Sequence, residues 1–578
     1  MRLPSLYLVA LLTASAACAQ DLPPGPAPAG DPPSRVARLN FIDGNVSFQP
    51  AGVDDWTAAS INYPLTSGDH IYSDVASHAE MHIGPNALRL APRSNFGFLN
   101  LDDRTVQVRF TEGAVEIRLR RLDDDDLYEV DTPHGAVSLL RTGEYRIETY
   151  PDLNGTMVTV RVGEVEVTAN GNSFAVHPRQ TAYFADGAQP EIRDANPPDA
   201  FDAFTDQRNI LEDRIPPPVH VPPTMAGYQD LDAYGDWRQT PQYGWVWAPR
   251  VRAGWAPYHE GHWAWVEPWG WTWIDDQPWG FAPFHYGRWA YLGGVWVWAP
   301  GRVVARPVYA PALVAFVGGP RFGVAFGVGG GVGWFPLGPA EPYYPAYRVS
   351  NVYVQQVNIT HVNVTTVNVT NVRYVNQQVP GAVVAVPQSG FASARPVAGM
   401  ARPVSAEELR TAQVTGSASV APQRESVLGN ARPGNAPVAR PSQTAMQRQV
   451  VAKTAPPPPP VSFAAKQQML QANGGRPLAP EQIQQIRAQQ PAAVNRAPVR
   501  MNNAPAPAAQ NPVNRLDSRP PSAPRPAAPA NPMTPANPAP APRPQEVSRP
   551  PAPAENRPAP KSEKKPAKPK KGEKEEKK

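Results

Sequence analysis

Six side chains between positions 259 and 285 carry groups that hydrolases and metal sites use: His259, Glu260, His262, Asp275, Asp276 and His285. A zinc-protease helix presents two histidines at i and i+4, so that both imidazoles reach one ion. Here His259 and His262 lie three apart, and Gly254 and Pro257 just upstream argue against a helix. Asp275 and Asp276 are adjacent, and neighbouring residues of a strand point to opposite faces, so they do not form an acid/base pair across a cleft. His259 and His285 occupy equivalent positions of a repeat, which points to a repeated structural hydrogen bond. No nucleophile elbow, phosphate loop or dinucleotide fingerprint sits in a strand-turn-helix setting, and the Gly330-Gly331 region lacks the lysine a phosphate loop needs. The consecutive Asp123 to Asp126 cannot converge on calcium as spaced ligands do. These readings predict a protein with no catalytic residues, no metal and no cofactor.

The other chemistry on offer is aromatic. Thirteen of the fifteen tryptophans fall between Trp237 and Trp298. Gly254-Trp255-Ala256-Pro257-Tyr258-His259, followed by Gly261, Trp263 and Trp265, returns 26 residues later as Gly280-Phe281-Ala282-Pro283-Phe284-His285, followed by Gly287, Trp289 and Tyr291. The pairs Trp245/Trp247, Trp271/Trp273 and Trp296/Trp298 keep nearly the same period, as expected of a duplicated β unit. Few Leu, Ile or Val lie in this stretch, so most of the rings must supply the core. In a W-x-W pair both rings share one strand face, so a pair can also form an exposed platform for a sugar. Trp263, Trp265, Trp269 and Trp289 are the candidates for ligand binding.

The elements that must position these rings are β-strands. From 35 to 190 short runs alternate apolar and polar residues, for example Val106-Gln107-Val108-Arg109-Phe110 and Ala79-Glu80-Met81-His82-Ile83, which puts one face inward and one toward water. Turns are expected at Asp43-Gly44, Ser67-Gly68-Asp69, Gly84-Pro85-Asn86, Asn154-Gly155 and Asn170-Gly171. Residues 197–213 suit a short linker helix with Phe201, Phe204, Ile210 and Leu211 on an apolar face. From Val357 a five-residue Val-Asn-x-Thr period runs for three copies, too few for a stable solenoid. Beyond Pro380 the chain is rich in Ala, Pro, Gln, Asn and Arg and cannot offset its ordering entropy, so a disordered tail is expected. Short helices are expected within it at Ser405 to Ala412, where Ser405 and Glu408 form a capping box, and at Pro480 to Gln489.

Arg2, the apolar run Leu6 to Leu12 and the small residues Ala14 to Ala19 read as a secretory signal peptide. The expectation is export to the periplasm or cell surface, without a transmembrane span. The one cysteine, Cys18, stands in a context loosely like a lipid-anchor site, and cleavage after Ala19 removes it. Residues 21–215 hold 31 Asp and Glu against 16 Arg, whereas 380–578 hold 28 Lys and Arg against 11 Asp and Glu. A basic tail on an exported chain suits anionic envelope polymers or lipid headgroups and not nucleic acid.

Two resemblances follow from longer phrases. Gly44-Asn45-Val46, Trp56, Pro64-Leu65, Gly68-Asp69, Thr132-Pro133-His134-Gly135-Ala136-Val137, Gly143 and Val162-Gly163-Glu164-Val165-Glu166-Val167 come in the order of a FecR-like domain over most of 36–188. That family is the periplasmic part of regulators of iron-transport sigma factors. Those regulators place a cytosolic segment and a membrane helix ahead of the domain, where this chain has the export signal. Gly227-Tyr228 to Trp237, Gly270-Trp271-Thr272-Trp273-Ile274-Asp275-Asp276 and His285-Tyr286-Gly287-Arg288-Trp289 resemble an uncharacterised Trp-rich domain found behind FecR-like domains in exported bacterial proteins.

The expected architecture is mainly β: signal peptide 1–19, spacer 20–34, FecR-like β-sandwich or rolled sheet 35–190, linker with a short helix 191–226, Trp-rich β-repeat domain 227–349, Val-Asn-x-Thr repeats 350–379, and a basic Pro/Ala-rich tail 380–578. The expected function is a non-catalytic envelope protein that binds or scaffolds a glycan or peptidoglycan-like polymer. The alternative is a periplasmic signalling accessory that contacts a membrane-associated regulator or receptor.

Overall fold

The computed structural model describes residues 30–318, 322, 330–358, 374–429, 438–489 and 499–502. All of them fall in one compact unit, residues 1–510. The signal peptide, most of the Val-Asn-x-Thr repeats and the tail from 503 onward lie outside the described residues.

The chain is mainly β, as the alternation predicts. Strands between Ala37 and Asp194 build two sheets that share one long strand, Thr105–Leu119. Its first half pairs with Ser94–Leu101 and, in parallel, with Leu127–Asp131; its second half pairs with Asn86–Leu90 and Gly143–Thr149. The change of sheet falls next to Gly113, at φ +103°, where a Cβ would stand 2.5 Å from the Ser94 Cα. Only glycine meets both demands without strain. Val106, Val108 and Phe110 point into the core, as do Val115 and Ile117 beyond the switch. The expected turns carry left-handed residues at Gly44, Gly68, Gly84, Asn154, Asn170 and Gly171.

The Trp-rich region consists of three antiparallel hairpins, 26 residues apart: Gly235–Thr240 with Gly244–Pro249, Gly261–Val266 with Gly270–Asp275, and Arg288–Leu292 with Val295–Ala299. Each pairs one tryptophan directly across from another: Trp237 with Trp247, Trp263 with Trp273, Trp289 with Trp298. Two residues before the first tryptophan of each pair stands a glycine, at Gly235, Gly261 and Gly287. A Cβ at Gly261 would lie 2.7 Å from Trp273 Cζ2, and one at Gly287 would lie 2.8 Å from Trp298 Cε2. The bare backbone lets the opposing indole lie flat across the strand. Trp247, Trp263, Trp273, Trp289 and Trp298 are fully buried, and one continuous core joins them to the first β domain.

Two expectations change. The expected helix forms as Ala200–Asp213, capped by Asp199, but it packs through Phe201, Asp202, Thr205 and Asn209, and Ile210 and Leu211 are about half exposed. The sheet beneath it presents charges, so the polar side of the helix turns inward. Within the tail, residues 384–501 include ordered elements. Val384–Pro387 and Gln413–Thr415 extend the hairpin of Val314–Gly318 and Gly331–Pro336, and a helix forms at Phe463–Ala472 beside the two that were expected, Ala406–Thr411 with its Ser405/Glu408 capping box and Pro480–Gln489. None of these has a core of its own; each is ordered by a surface already folded.

Replacing Gly261 by Ala should destabilise the protein by about 1–3 kcal/mol, because the indole of Trp273 and the facing strand cannot both stay in place. Urea unfolding of the two proteins measures this; an unchanged midpoint would contradict the packing described.

Candidate functional site

The ring platform expected of Trp263, Trp265, Trp269 and Trp289 is not offered to solvent: each is at most 2% exposed. Their neighbours are other rings. Trp263 meets Trp273, Trp334 and Phe391 at centroid distances of 5.3–5.5 Å, and Trp265 meets Trp271 edge-on at 5.6 Å. The aromatic side chain left most open in the hairpins is Trp245, 44% exposed and stacked on His220 at 4.2 Å.

The histidine and carboxylate cluster is dispersed. Asp275 is buried and accepts hydrogen bonds of 2.9 Å from Trp273 Nε1 and the Gln277 amide, while Asp276 on the opposite face is exposed. Burial pushes the Asp275 carboxyl well above its usual range. His262 and His285 bond to the carbonyls of Gly429 and Ala310, both at 2.9 Å, and burial lowers them to about 4 and about 3. His259 pairs with the Pro257 carbonyl at 2.9 Å. Glu260 pairs with Arg252 and accepts from Gln277 Nε2 at 2.8 Å, so Gln277 bridges it to Asp275, while the three histidines bond to separate carbonyls.

The concentrated charge lies instead on the two outer faces of the first β domain, where the alternation predicts solvent. On one face, Glu80, Arg89, Glu116 and Arg146 stand side by side across four strands in alternating sign. The helix Ala200–Asp213 lies over this row. Arg89 binds Glu80 at 2.6 Å, Glu116 at 3.1 Å, and Asn209 and Glu212 at 2.8 Å. Arg208 adds a two-pronged contact to Glu80 at 2.6 and 3.0 Å, and Arg146 joins Asp199 and Asp202 at 2.7–2.8 Å.

Glu80, His82 and Glu212 bring one ligand atom each within 4.8 Å of one another, a donor set of a type that holds divalent ions. Its lone pairs are already engaged. Both Glu80 oxygens are bound by arginines, with Asn40 Nδ2 at 2.5 Å as well, and Glu212 accepts from Arg89 and His82 and pairs in charge with Arg120. Burial opposes a charge on His82, but Glu212 and then Glu80 raise it to about 9, which leaves a protonated imidazole that cannot ligate. Glu80 and Glu212 are held low against their own burial by the same partners. The set is an ion-pair clamp for the helix. Sequence reasoning missed it because the helix partners of Glu80, His82 and Arg89 lie 120 or more residues further along the chain.

On the other outer face stand Ser47, Asn95, Gln107, Arg109, Glu129 and Asp131, all buried. What covers them is residues 438–454 of the tail, a one-turn helix Gln443–Gln447 followed by the strand Val450–Ala452. Arg109 Nη2 donates to the carbonyls of Met446 and Arg448, both at 2.7 Å, and Ser47 Oγ to that of Ala439 at 2.6 Å. Glu129 accepts from the amides of Lys453 and Thr454 at 2.8 and 2.9 Å and from the Thr454 hydroxyl at 2.6 Å. Gln107 donates to the Thr454 carbonyl at 2.8 Å, the Val451 amide to that of Thr132 at 2.8 Å, and Lys453 pairs with Glu166. The face therefore holds main-chain groups of the segment by an array of side chains, with Arg109 on the last carbonyls of the short helix and Glu129 and Gln107 on residues 453 and 454. The signal in the sequence was the string of polar residues at every second strand position, whose covering no local pattern reveals.

Residues 228–341 match DUF6600, a family of unknown function. The match spans the three tryptophan hairpins and the strand pair that follows. Two solved structures of a candidate anti-sigma factor from Parabacteroides distasonis are similar at 17% and 16% identity, each with a TM-score of 0.20, over 22% of this chain and 60% of the other. The chain thus spans less than two thirds of those proteins, and a likeness so slight carries neither fold nor activity across. No curated protein matches the chain.

Two outcomes follow from the clamp. Arg89→Met should cost about 3–5 kcal/mol in denaturant unfolding, because it leaves Glu80, Glu116 and Glu212 buried without their shared cation. An NMR titration should place the His82 midpoint near 9. Because that value is raised, the stabilisation from His82 is complete below about pH 6.5 and fades as pH climbs through 9. A midpoint near 6.5 would contradict the contacts described.

Proposed function

We propose that this is a non-catalytic scaffold of the cell envelope, exported by its N-terminal signal, that engages a membrane-associated regulator or receptor protein in preference to a glycan. The observation that carries the reading is the outer sheet face that binds main-chain groups of a distant polypeptide segment through Arg109, Gln107 and Glu129. The rings that would have served a sugar lie in the core. Non-catalytic action is supported by the separate fates of Asp275, tied to Trp273 and Gln277, and of the histidines, each tied to a carbonyl. The order of FecR-like phrases between 36 and 188 agrees with a protein partner outside the cytosol.

A carbohydrate reading has one foothold, the open indole of Trp245 stacked on His220. Crosslinking of the full chain in cells, followed by purification, separates the two. The reading predicts recovered membrane or outer-envelope proteins, and retention on envelope polysaccharide that is weak and unchanged in Trp245→Ala. Recovery of polysaccharide alone, with retention lost in Trp245→Ala, would overturn it.

A further inference from the structure

Where the first β domain meets the chain that follows the third hairpin, the structure encloses a cavity of about 60 Å³. Its walls are the loops around Arg35, Asp103 and Asp123, the linker at Thr224, and Arg306 beyond the hairpins. The turn at Gly84 lies close against the linker: a Cβ there would stand 3.2 Å from the Thr224 carbonyl oxygen, and Gln229 Nε2 donates to the Gly84 carbonyl at 2.9 Å. Arg306 Nη2 closes the other side on Asp123 at 2.9 Å. A water needs roughly 10–15 Å³ of such space, so 60 Å³ takes about four to six water-sized groups.

Charge in the lining balances. Arg35, Arg121 and Arg306 face Asp103, Asp123 and Asp126, three of each sign. Arg121 holds Asp123 through Nε and Nη2 at 2.9 and 3.1 Å, and Arg35 Nη1 reaches Asp126 at 3.3 Å. A net anion or a net cation gains little from such a wall, whereas a molecule carrying both signs gains from each. The groups left over after these internal bonds are also of both kinds. Arg35 Nη2 is buried without a hydrogen bond. The buried Tyr128 hydroxyl accepts from Asn86 Nδ2 at 2.8 Å, and among the described residues nothing accepts its own proton. Burial raises the Tyr128 pKa, so that proton stays on the oxygen and can be donated. Opposite these donors stands an acceptor. Ser34 sends both its amide and its hydroxyl to Asp103 Oδ1, at 2.7 and 2.6 Å, which leaves Oδ2.

We infer that this cavity binds a small α-amino acid, its carboxylate on Arg35 and Tyr128 and its ammonium on Asp103. The space admits glycine or alanine and excludes branched and aromatic side chains. Charge-assisted bonds at both ends of the ligand supply the affinity, and neither end alone is enough. Because the wall joins the first β domain to Arg306, occupancy stabilises that junction and gives the protein a ligand-dependent form. This goes beyond the scaffold reading and does not rest on it.

Isothermal titration of the full chain with glycine, L-alanine and D-alanine tests the site. At least one of them should bind saturably, one per chain, while acetate and methylammonium, each with half of the recognised groups, should bind about tenfold more weakly or worse. Asp103→Asn keeps an oxygen for Ser34 and removes only the charge. It should weaken the amino acid by about tenfold or more and strengthen acetate. Tyr128→Phe keeps the ring in the core and removes the donor, and should weaken the amino acid and acetate alike; melting curves of both free variants show whether they are folded. No saturable heat with any of the three amino acids, the mark of a cavity that holds water only, would overturn the inference. So would acetate bound as tightly as alanine, or alanine binding unchanged in both folded variants. Any of these results leaves the crosslinking test of the scaffold reading as it stands.

Discussion

A guanidinium or carboxylate taken out of water must meet an opposite charge or a full set of hydrogen bonds, and this requirement fixes where the later half of the chain goes. Both outer faces of the first β domain are polar, and both are buried. On one, Arg89 sits among three carboxylates, of which Glu212 comes from the helix that follows the domain. On the other, Arg109 finds only the carbonyls of a segment more than 330 residues further on. Every nitrogen of Arg89 is bonded, whereas the Nε of Arg109 is buried without a hydrogen bond.

The Trp-rich region meets a different demand with a different device. A domain poor in Leu, Ile and Val must bury large rings, and flat indoles pack across a strand only where that strand lacks a side chain. The repeated Gly235, Gly261 and Gly287 supply the gap, and the facing Trp247, Trp273 and Trp298 fill it. Aromatic content that suggests a sugar platform is in this chain the price of making a core from hairpins. Edge-on contacts, such as Trp265 on Trp271, hold the pieces together.

Much of this was legible. Alternation in runs such as Val106 to Phe110 predicts which residues enter the core, Gly and Asn mark the turns, and the 26-residue spacing marks the hairpins, though the copy beginning at Gly235 shows itself only once Trp237 is seen opposite Trp247. What the pattern could not show is the fate of the residues turned outward. Gln107 and Glu80 look like solvated positions because alternation knows only two faces, and burial by a distant helix or tail segment leaves no local trace. The same blindness put Ile210 and Leu211 on the packing side of their helix and left the tail from 380, apart from the helices at 405–412 and 480–489, without structure. For the tryptophans, local spacing gives the face each ring shares but not whether another hairpin closes over it.

The account stands or falls on whether the tail segment covers the polar sheet face in the free protein. Amide hydrogen exchange of the full chain, read at Val451, Lys453 and Thr454, measures this directly, because those three amides bond to Thr132 and Glu129. The structure predicts exchange slowed by about a hundredfold or more relative to an unstructured chain, in step with a segment docked on the face. Exchange at the unprotected rate at all three would show the face open to water and contradict the account.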